Sequence, residues 1–163
     1  MAQEQTHNGG GIIVLSLLVA FMLTAMPLPD GVQNWRPAWV AMVLIYWCMA
    51  LPERVGIGIS WTLGILLDVQ QGAVFGQNAI ALAVIAYVTV KLYQRLRVFP
   101  LTQQAVIVCG YVMIYQLIVL WIKDMTGIPP QTWTFWMPAV TSMVLWPWLF
   151  IILRDLRRKY KVA

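Results

Sequence analysis

Charged residues are scarce in this sequence. They make up 10% of its 163 residues, whereas a soluble domain carries about 25%. Hydrophobic residues account for 61%, and the mean hydropathy is +0.74. This balance excludes an ordinary soluble domain. It predicts an integral membrane protein in which residues 1–163 form a single transmembrane domain with a short tail.

Histidine and cysteine are also rare. The one histidine, His7, lies in an N-terminal segment that we expect to be mobile. Cys48 and Cys109 each lie inside an apolar run, where cysteine behaves as a small hydrophobic residue, and their spacing matches neither a metal site nor a disulfide framework. Lys and Arg are absent before the first apolar run, which argues against a cleaved secretory signal and predicts a retained anchor.

Catalytic motifs are missing as well. The sequence has no glycine-rich loop of the Walker or dinucleotide-binding type, and no Ser-His-Asp set can form inside its apolar runs. No two carboxylates share an apolar run, so paired acid–base catalysis is not expected. We therefore expect a protein that is not an enzyme, with no cofactor, no metal and no nucleic-acid partner.

Six apolar runs are present, separated by proline, glycine and polar residues. They predict an all-α membrane protein with six transmembrane helices. The expected spans are approximately residues 11–29, 36–51, 55–70, 77–91, 104–122 and 133–153, followed by a basic tail at 154–163. Several of these runs are shorter than the roughly 20 residues that cross a bilayer.

The positive charges fall mostly on one side of this topology. One side carries nine of them, at Arg54, Lys91, Arg95, Arg97, Arg154, Arg157, Arg158, Lys159 and Lys161. The other side carries only Arg36 and Lys123. Because positive charge marks the cytoplasmic side, both termini are expected there. The opposite boundary then holds an aromatic belt of Trp35, Trp39, Trp121, Trp133 and Trp136.

The third run carries a stripe of small residues that ends in an acid. Its members recur every four residues and share one helix face: Gly56, Ser60, Gly64 and Asp68. Small residues let another helix backbone approach closely in lipid, and a carboxylate at membrane depth is costly unless it faces protein or water. Asp68 is therefore a functional-site candidate. The alternative is an interfacial Asp68 that ends the helix and contacts water.

A polar, glycine-rich link, residues 70–78, follows Asp68. Because it begins at membrane depth, we expect Asp68 and the link to be covered by neighbouring helices. Gly72 and Gly76 are expected to supply turn geometry that other residues reach poorly. A matching small-residue face on the fourth helix is the expected partner of the third, and it consists of Ala79, Ala83 and Ala86.

Two further features lie near the C-terminus. Pro147 is expected to kink the sixth helix, and a packing bend between Trp146 and Trp148 is the simpler interpretation. The basic tail is a topology anchor. A contact of this tail with anionic lipid or with a cytoplasmic partner is a further hypothesis.

Four groups of residues resemble a known family when taken in order along the chain. They are Arg36-Pro37-x-Trp39; Tyr46-Trp47 with Ala50-Leu51-Pro52-x-Arg54; Gly64-x-x-Leu67-Asp68 with Gly72 and Gly76; and Leu145-Trp146-Pro147-Trp148 before a basic end. Together they resemble the rod shape-determining MreD family, in its short Gram-negative form. The chain has Pro52-Glu53-Arg54 where some relatives have Pro-His-Arg.

The resemblance implies a multi-pass protein of the bacterial inner membrane. It implies a non-catalytic component of the cell-elongation complex, needed for rod shape and lateral-wall peptidoglycan synthesis. The implied partners are the scaffold MreC and, more widely, RodA, a class B penicillin-binding transpeptidase and MreB filaments. The implied fold is similar to the substrate-binding subunit of energy-coupling-factor transporters.

Two functions therefore remain open. The first is an interaction protein, whose structural or interaction candidates are Gly56, Ser60, Gly64, Asp68, Gly72, Gly76, Arg36, Pro37, Trp39, Pro52, Arg54, Trp146, Pro147 and Trp148. The second is a small-molecule-binding or transport subunit with an outward-facing polar pocket lined by Asp68, Gln70, Gln71, Gln77 and Asn78. The resemblance favours the first.

Overall fold

A computed structural model of the protein describes residues 10–26, 29, 36, 38–51, 55–72, 75–125, 127 and 136–159. This part of the chain is all-helical. Its six helices are α1 (Gly10–Ala25), α2 (Trp39–Ala50), α3 (Ile57–Gln71), α4 (Gln77–Val98), α5 (Leu101–Met125) and α6 (Met137–Lys159). The sequence predicted an all-α protein with six helices, and the structure agrees on both points.

The six helices differ in length. Helices α4, α5 and α6 have 22, 25 and 23 residues and are long and apolar enough to cross a membrane. Helices α1, α2 and α3 are also apolar but have only 16, 12 and 15 residues. At 1.5 Å per residue, α2 is about 18 Å long, which is less than the roughly 30 Å of a hydrocarbon core.

The connection between α4 and α5 is much shorter than the gap between the expected spans 77–91 and 104–122. Helix α4 continues to Val98, and α5 begins at Leu101. The Lys, Arg and Gln residues of this stretch are good helix formers, and the charged ends of Lys and Arg can reach water while their stems stay on the helix. The break comes at Pro100, because the residue before a proline avoids helical geometry. Phe99 accordingly has φ −74° and ψ 143°.

Helix α6 likewise extends past its expected end. It is helical through Lys159, so most of the basic segment that was expected as a tail lies on this helix. Pro147 lies inside α6.

Helix α2 is the centre of the bundle. Its residues 40–50 are all buried, and it packs against α1, α4, α5 and α6. A helix that is apolar on every side is typical of such an interior position. Trp47 packs edge-on against Tyr46 at 5.2 Å between ring centroids, and its indole N–H donates to Ser16 Oγ of α1 at 2.8 Å. This hydrogen bond joins α1 to the core.

Candidate functional site

Asp68 lies in the last turn of α3 and is 1% exposed. Its Oδ2 accepts a hydrogen bond from the backbone N–H of Gly76 at 2.9 Å. Its Oδ1 accepts two more, from the backbone N–H and the side-chain Nδ2 of Asn78, both at 2.8 Å. The expected burial of Asp68 is therefore confirmed. The alternative interpretation placed Asp68 correctly at a helix end, but it was wrong about contact with water.

These hydrogen bonds cap the start of α4. The first N–H groups of a helix have no partner within it, and they are usually satisfied by a side chain at the N-cap. Here the N-cap is Gly76, which has no side chain, and Asp68 supplies the oxygens from the neighbouring helix. The acceptor oxygens of Asp68 also lie at the positive end of the α4 dipole, which favours them there. Asp68 thus joins two helices and stabilises the N-terminus of one of them.

A third helix joins this network through Asn78. The hydroxyl of Tyr115, on α5, donates to Asn78 Oδ1, and Asn78 is 1% exposed. The polar network Asp68–Gly76–Asn78–Tyr115 therefore spans α3, α4 and α5. The small-residue and polar patterns of the sequence do not point to Tyr115. The neighbouring polar residue Gln116, in the middle of the fifth apolar run, was the available signal for polar contacts on this helix.

Gly64 marks the closest approach between α3 and α4. A Cβ added there would lie 2.2 Å from Ala79 Cα, 2.5 Å from Ala79 N and 2.7 Å from Asn78 C. These atoms are backbone and cannot rotate away, so only glycine fits. The small-residue pattern predicted this pairing, and Ala79 and Ala86 are buried while Ala83 is half-buried.

The rest of the stripe lies on the same side of α3. Ser60 is fully buried, and its hydroxyl donates to the carbonyl oxygen of Gly56, the N-cap residue of α3, at 2.8 Å. Because α4 covers this side of α3, these small residues serve packing within the protein.

The link after Asp68 has the expected turn geometry. Gly72 and Gly76 have φ of 64° and 94°, in the left-handed region that favours glycine. The expected coverage of the link is wrong in part, because Gly72 and Phe75 are exposed whereas Gln77 is buried.

The polar side chains of the link do not all line one pocket, contrary to the prediction. Gln70 is exposed, and its Nε2 donates to the Phe21 carbonyl of α1 at 3.1 Å. Asn78 is engaged by Asp68 and Tyr115. The side chain of Gln71 lies outside the described residues.

The remaining candidates are spread over the molecule. Arg36 donates to the carbonyl oxygens of Thr24 and Met26, the first at 2.6 Å, and so holds the C-terminal end of α1. Trp39 begins α2 and is half-buried. Pro37, Pro52 and Arg54 lie outside the described residues, as do Trp35 and Trp133 of the expected belt.

The two tryptophans beside Pro147 face different surroundings. Trp146 is fully buried, with its ring centroid 6.0 Å from that of Phe150. Trp148 is 65% exposed. This difference between Trp146 and Trp148 is typical of a helix that packs one face against the protein core and turns the other towards lipid.

A cavity of about 320 Å³ opens beside the polar network. Its lining includes Tyr115 and Gln116 from the middle of α5. It also includes Arg36 and Lys123, which lie at the bundle end where α1 and α5 finish and α2 begins. Among the residues that the structure describes, no group of three or more His, Cys, Asp or Glu residues could hold a metal ion.

Comparison with known proteins places the chain in a family. The family model described as "rod shape-determining protein MreD" matches residues 5–156. A curated protein of Haemophilus influenzae named "Rod shape-determining protein MreD" is 35% identical over 150 residues, which cover 92% of this chain and 93% of that protein. No solved structure matches the chain significantly.

Proposed function

The chain belongs to the MreD family of rod shape-determining proteins, and from this premise we propose that it is a non-catalytic, multi-pass component of the cell-elongation complex in the bacterial inner membrane. The family supports a role in determining rod shape. The finer part of the proposal is binding to MreC, within a wider complex of RodA, the class B penicillin-binding transpeptidase and MreB filaments. Support of lateral-wall peptidoglycan synthesis belongs to the same part.

The proposed topology has six membrane-spanning helices and cytoplasmic termini. The three long apolar helices support a membrane protein, and the uneven distribution of Lys and Arg supports this orientation. Helices α1 to α3 would then cross a locally thinned bilayer or have their ends covered by protein. A fold similar to the substrate-binding subunit of energy-coupling-factor transporters belongs to the same proposal.

The observation that carries the proposal is the polar network around Asp68. Intramembrane carboxylates commonly bind substrate or ions, but this one accepts three hydrogen bonds from the protein itself. Because its acceptors are occupied by the protein, Asp68 stabilises the packing of α3, α4 and α5. A scaffold protein requires such stable packing. Because α4 covers the small-residue side of α3, a partner helix would pack on another surface.

The proposal is tested by depleting the protein in its native host and measuring cell shape by microscopy. We expect rounding that the wild-type gene reverses. Gly64→Leu should fail to restore rods, because its side chain cannot fit against Ala79. The matched control is Gly58→Leu on the same helix, where an added Cβ meets nothing within 4 Å. Unchanged rods after depletion would refute the proposed function.

The second candidate function is binding or transport of a small molecule. The outer cavity of about 320 Å³ favours it, because Arg36 and Lys123 could attract an anionic compound there. Protein purified from its native host would then release a ligand on denaturation, and depletion would cause a nutrient-dependent growth defect in cells that remain rods. Detection of both would favour this function over the first.

A further inference from the structure

A second cavity, rich in arginine, lies at the opposite end of the bundle. It has a volume of about 520 Å³ and opens where α2, α4 and α6 end and α5 begins. Four arginines contribute to its lining: Arg97, Arg154, Arg157 and Arg158. No acidic residue is among the described residues that line it. The charge distribution of the chain assigns this end to the cytoplasmic side.

Two of the arginines are held in place by the bundle. Arg97 donates from Nε to the Met49 carbonyl at 3.0 Å and from a terminal nitrogen to the Ala50 carbonyl at 2.6 Å, at the C-terminal end of α2. Arg157 lies beside the hydroxyl of Tyr46. Side chains fixed in this way lose less conformational entropy when they bind a ligand.

Two residues that line the cavity also have buried polar atoms without a hydrogen-bond partner among the described residues. Arg154 Nε is buried and has no hydrogen-bond partner among the described residues. Gln104 is 4% exposed, and its Nε2 donates to the Leu96 carbonyl at 2.8 Å, but its Oε1 has no partner among the same residues. Unsatisfied buried polar atoms are costly unless a ligand or water completes their hydrogen bonds.

These features together define the chemistry of a ligand. The guanidinium groups match the oxygens of a phosphate, and Gln104 Oε1 can accept a hydrogen bond from a hydroxyl. The aromatic rings of Tyr46 and Phe150, 5.4 Å apart between centroids, line the same cavity and provide apolar surface. A phosphate group, a hydroxyl and an adjoining apolar part occur together in a phospholipid such as phosphatidylglycerol.

We propose that this arginine cavity binds the phosphate headgroup of an anionic phospholipid from the cytoplasmic leaflet. The cavity lies at the ends of helices that are long enough to cross the membrane, at the level where headgroups are found. The site is therefore distinct from a diffuse attraction of the basic helix end to the membrane surface. It would fix the position of α6 relative to α2 through the lipid.

The test is a titration of the full-length protein in neutral detergent with phosphatidylglycerol, followed by native mass spectrometry. We expect one lipid to bind to the wild type more tightly than the others. The double variant Arg154→Gln/Arg157→Gln should bind this lipid about 30-fold more weakly, the effect of two lost charges beside an anionic headgroup. Arg97 is left unchanged because it also holds the end of α2.

The matched control is Lys91→Gln/Arg95→Gln. It removes the same charge from the same end of the bundle, but neither residue lines the cavity, and both are exposed. The control should bind phosphatidylglycerol like the wild type. Equal losses in the two double variants would show surface attraction only and would overturn the proposal.

Two further measurements complete the experiment. Arg158→Gln changes an exposed residue that lines the cavity, so the variant should fold normally. It should bind the lipid several-fold more weakly, while circular dichroism shows unchanged helix content. If it binds phosphatidylglycerol like the wild type, the site is wrong. Glycerol phosphate that bound as tightly as phosphatidylglycerol would overturn the assignment to lipid. So would displacement of the bound lipid by an acidic peptide at equal concentration, which would indicate a protein partner.

Discussion

Gly64→Ala is the smallest change that tests the close contact of α3 with α4. The new methyl carbon would lie 2.2 Å from Ala79 Cα. An ordinary contact begins at 3.4 Å, so the two helices must separate by more than 1 Å at this point. Overpacking of this kind costs about 3 kcal/mol, and the better helix propensity of alanine offsets about 1 kcal/mol. We therefore expect a net loss of about 2 kcal/mol in the free energy of unfolding.

The assay is equilibrium unfolding of the purified protein in mixed micelles, with increasing SDS and far-UV circular dichroism as the signal. Gly58→Ala is the control, because it makes the same change on the same helix where nothing lies within 4 Å. It should gain about 0.5 to 1 kcal/mol from helix propensity alone. If the two variants have the same free energy of unfolding, α3 and α4 do not approach as described, and the reasoning fails.

Three further predictions concern the polar network. Asp68→Ala removes the acceptor of three hydrogen bonds and should lower the free energy of unfolding by about 2 kcal/mol in the same assay, and an unchanged value would refute its capping role. Tyr115→Phe removes one hydrogen bond and should cost about 0.6 kcal/mol, with no further loss when it is combined with Asn78→Ala. Gly76→Ala, at φ 94°, should cost about 1–2 kcal/mol through backbone strain, whereas a neutral result would contradict the left-handed conformation.

Some of this arrangement was readable from the sequence because it depends on local spacing. Residues four apart share a helix face, so the series that ends in Gly64 and Asp68 indicated a close-packed, polar-ended side of α3. The turn at Gly72 and Gly76 followed from the ability of glycine to adopt positive φ. In these cases a short segment carries the whole physical argument.

Other features depend on contacts between distant segments and could not be predicted in the same way. In a membrane protein, a side that faces lipid and a side that faces protein are both apolar, so hydropathy did not distinguish the central α2 from the other helices. The partners of Tyr115 and Arg97 come from helices far away in the sequence. The expected spans 77–91 and 104–122 leave too long a connection between them, because the polar residues after Lys91 favour helix and the helix breaks only at Pro100.

The hydrogen bonds between Asp68 and the start of α4 also constrain how the chain enters the membrane. When α3 emerges alone from the insertion machinery, its carboxylate has no partner and is costly in lipid. The donors that satisfy it, Gly76 and Asn78, are synthesised only eight and ten residues later. Helices α3 and α4 are therefore expected to leave the machinery together, as one hairpin whose two halves are already hydrogen-bonded.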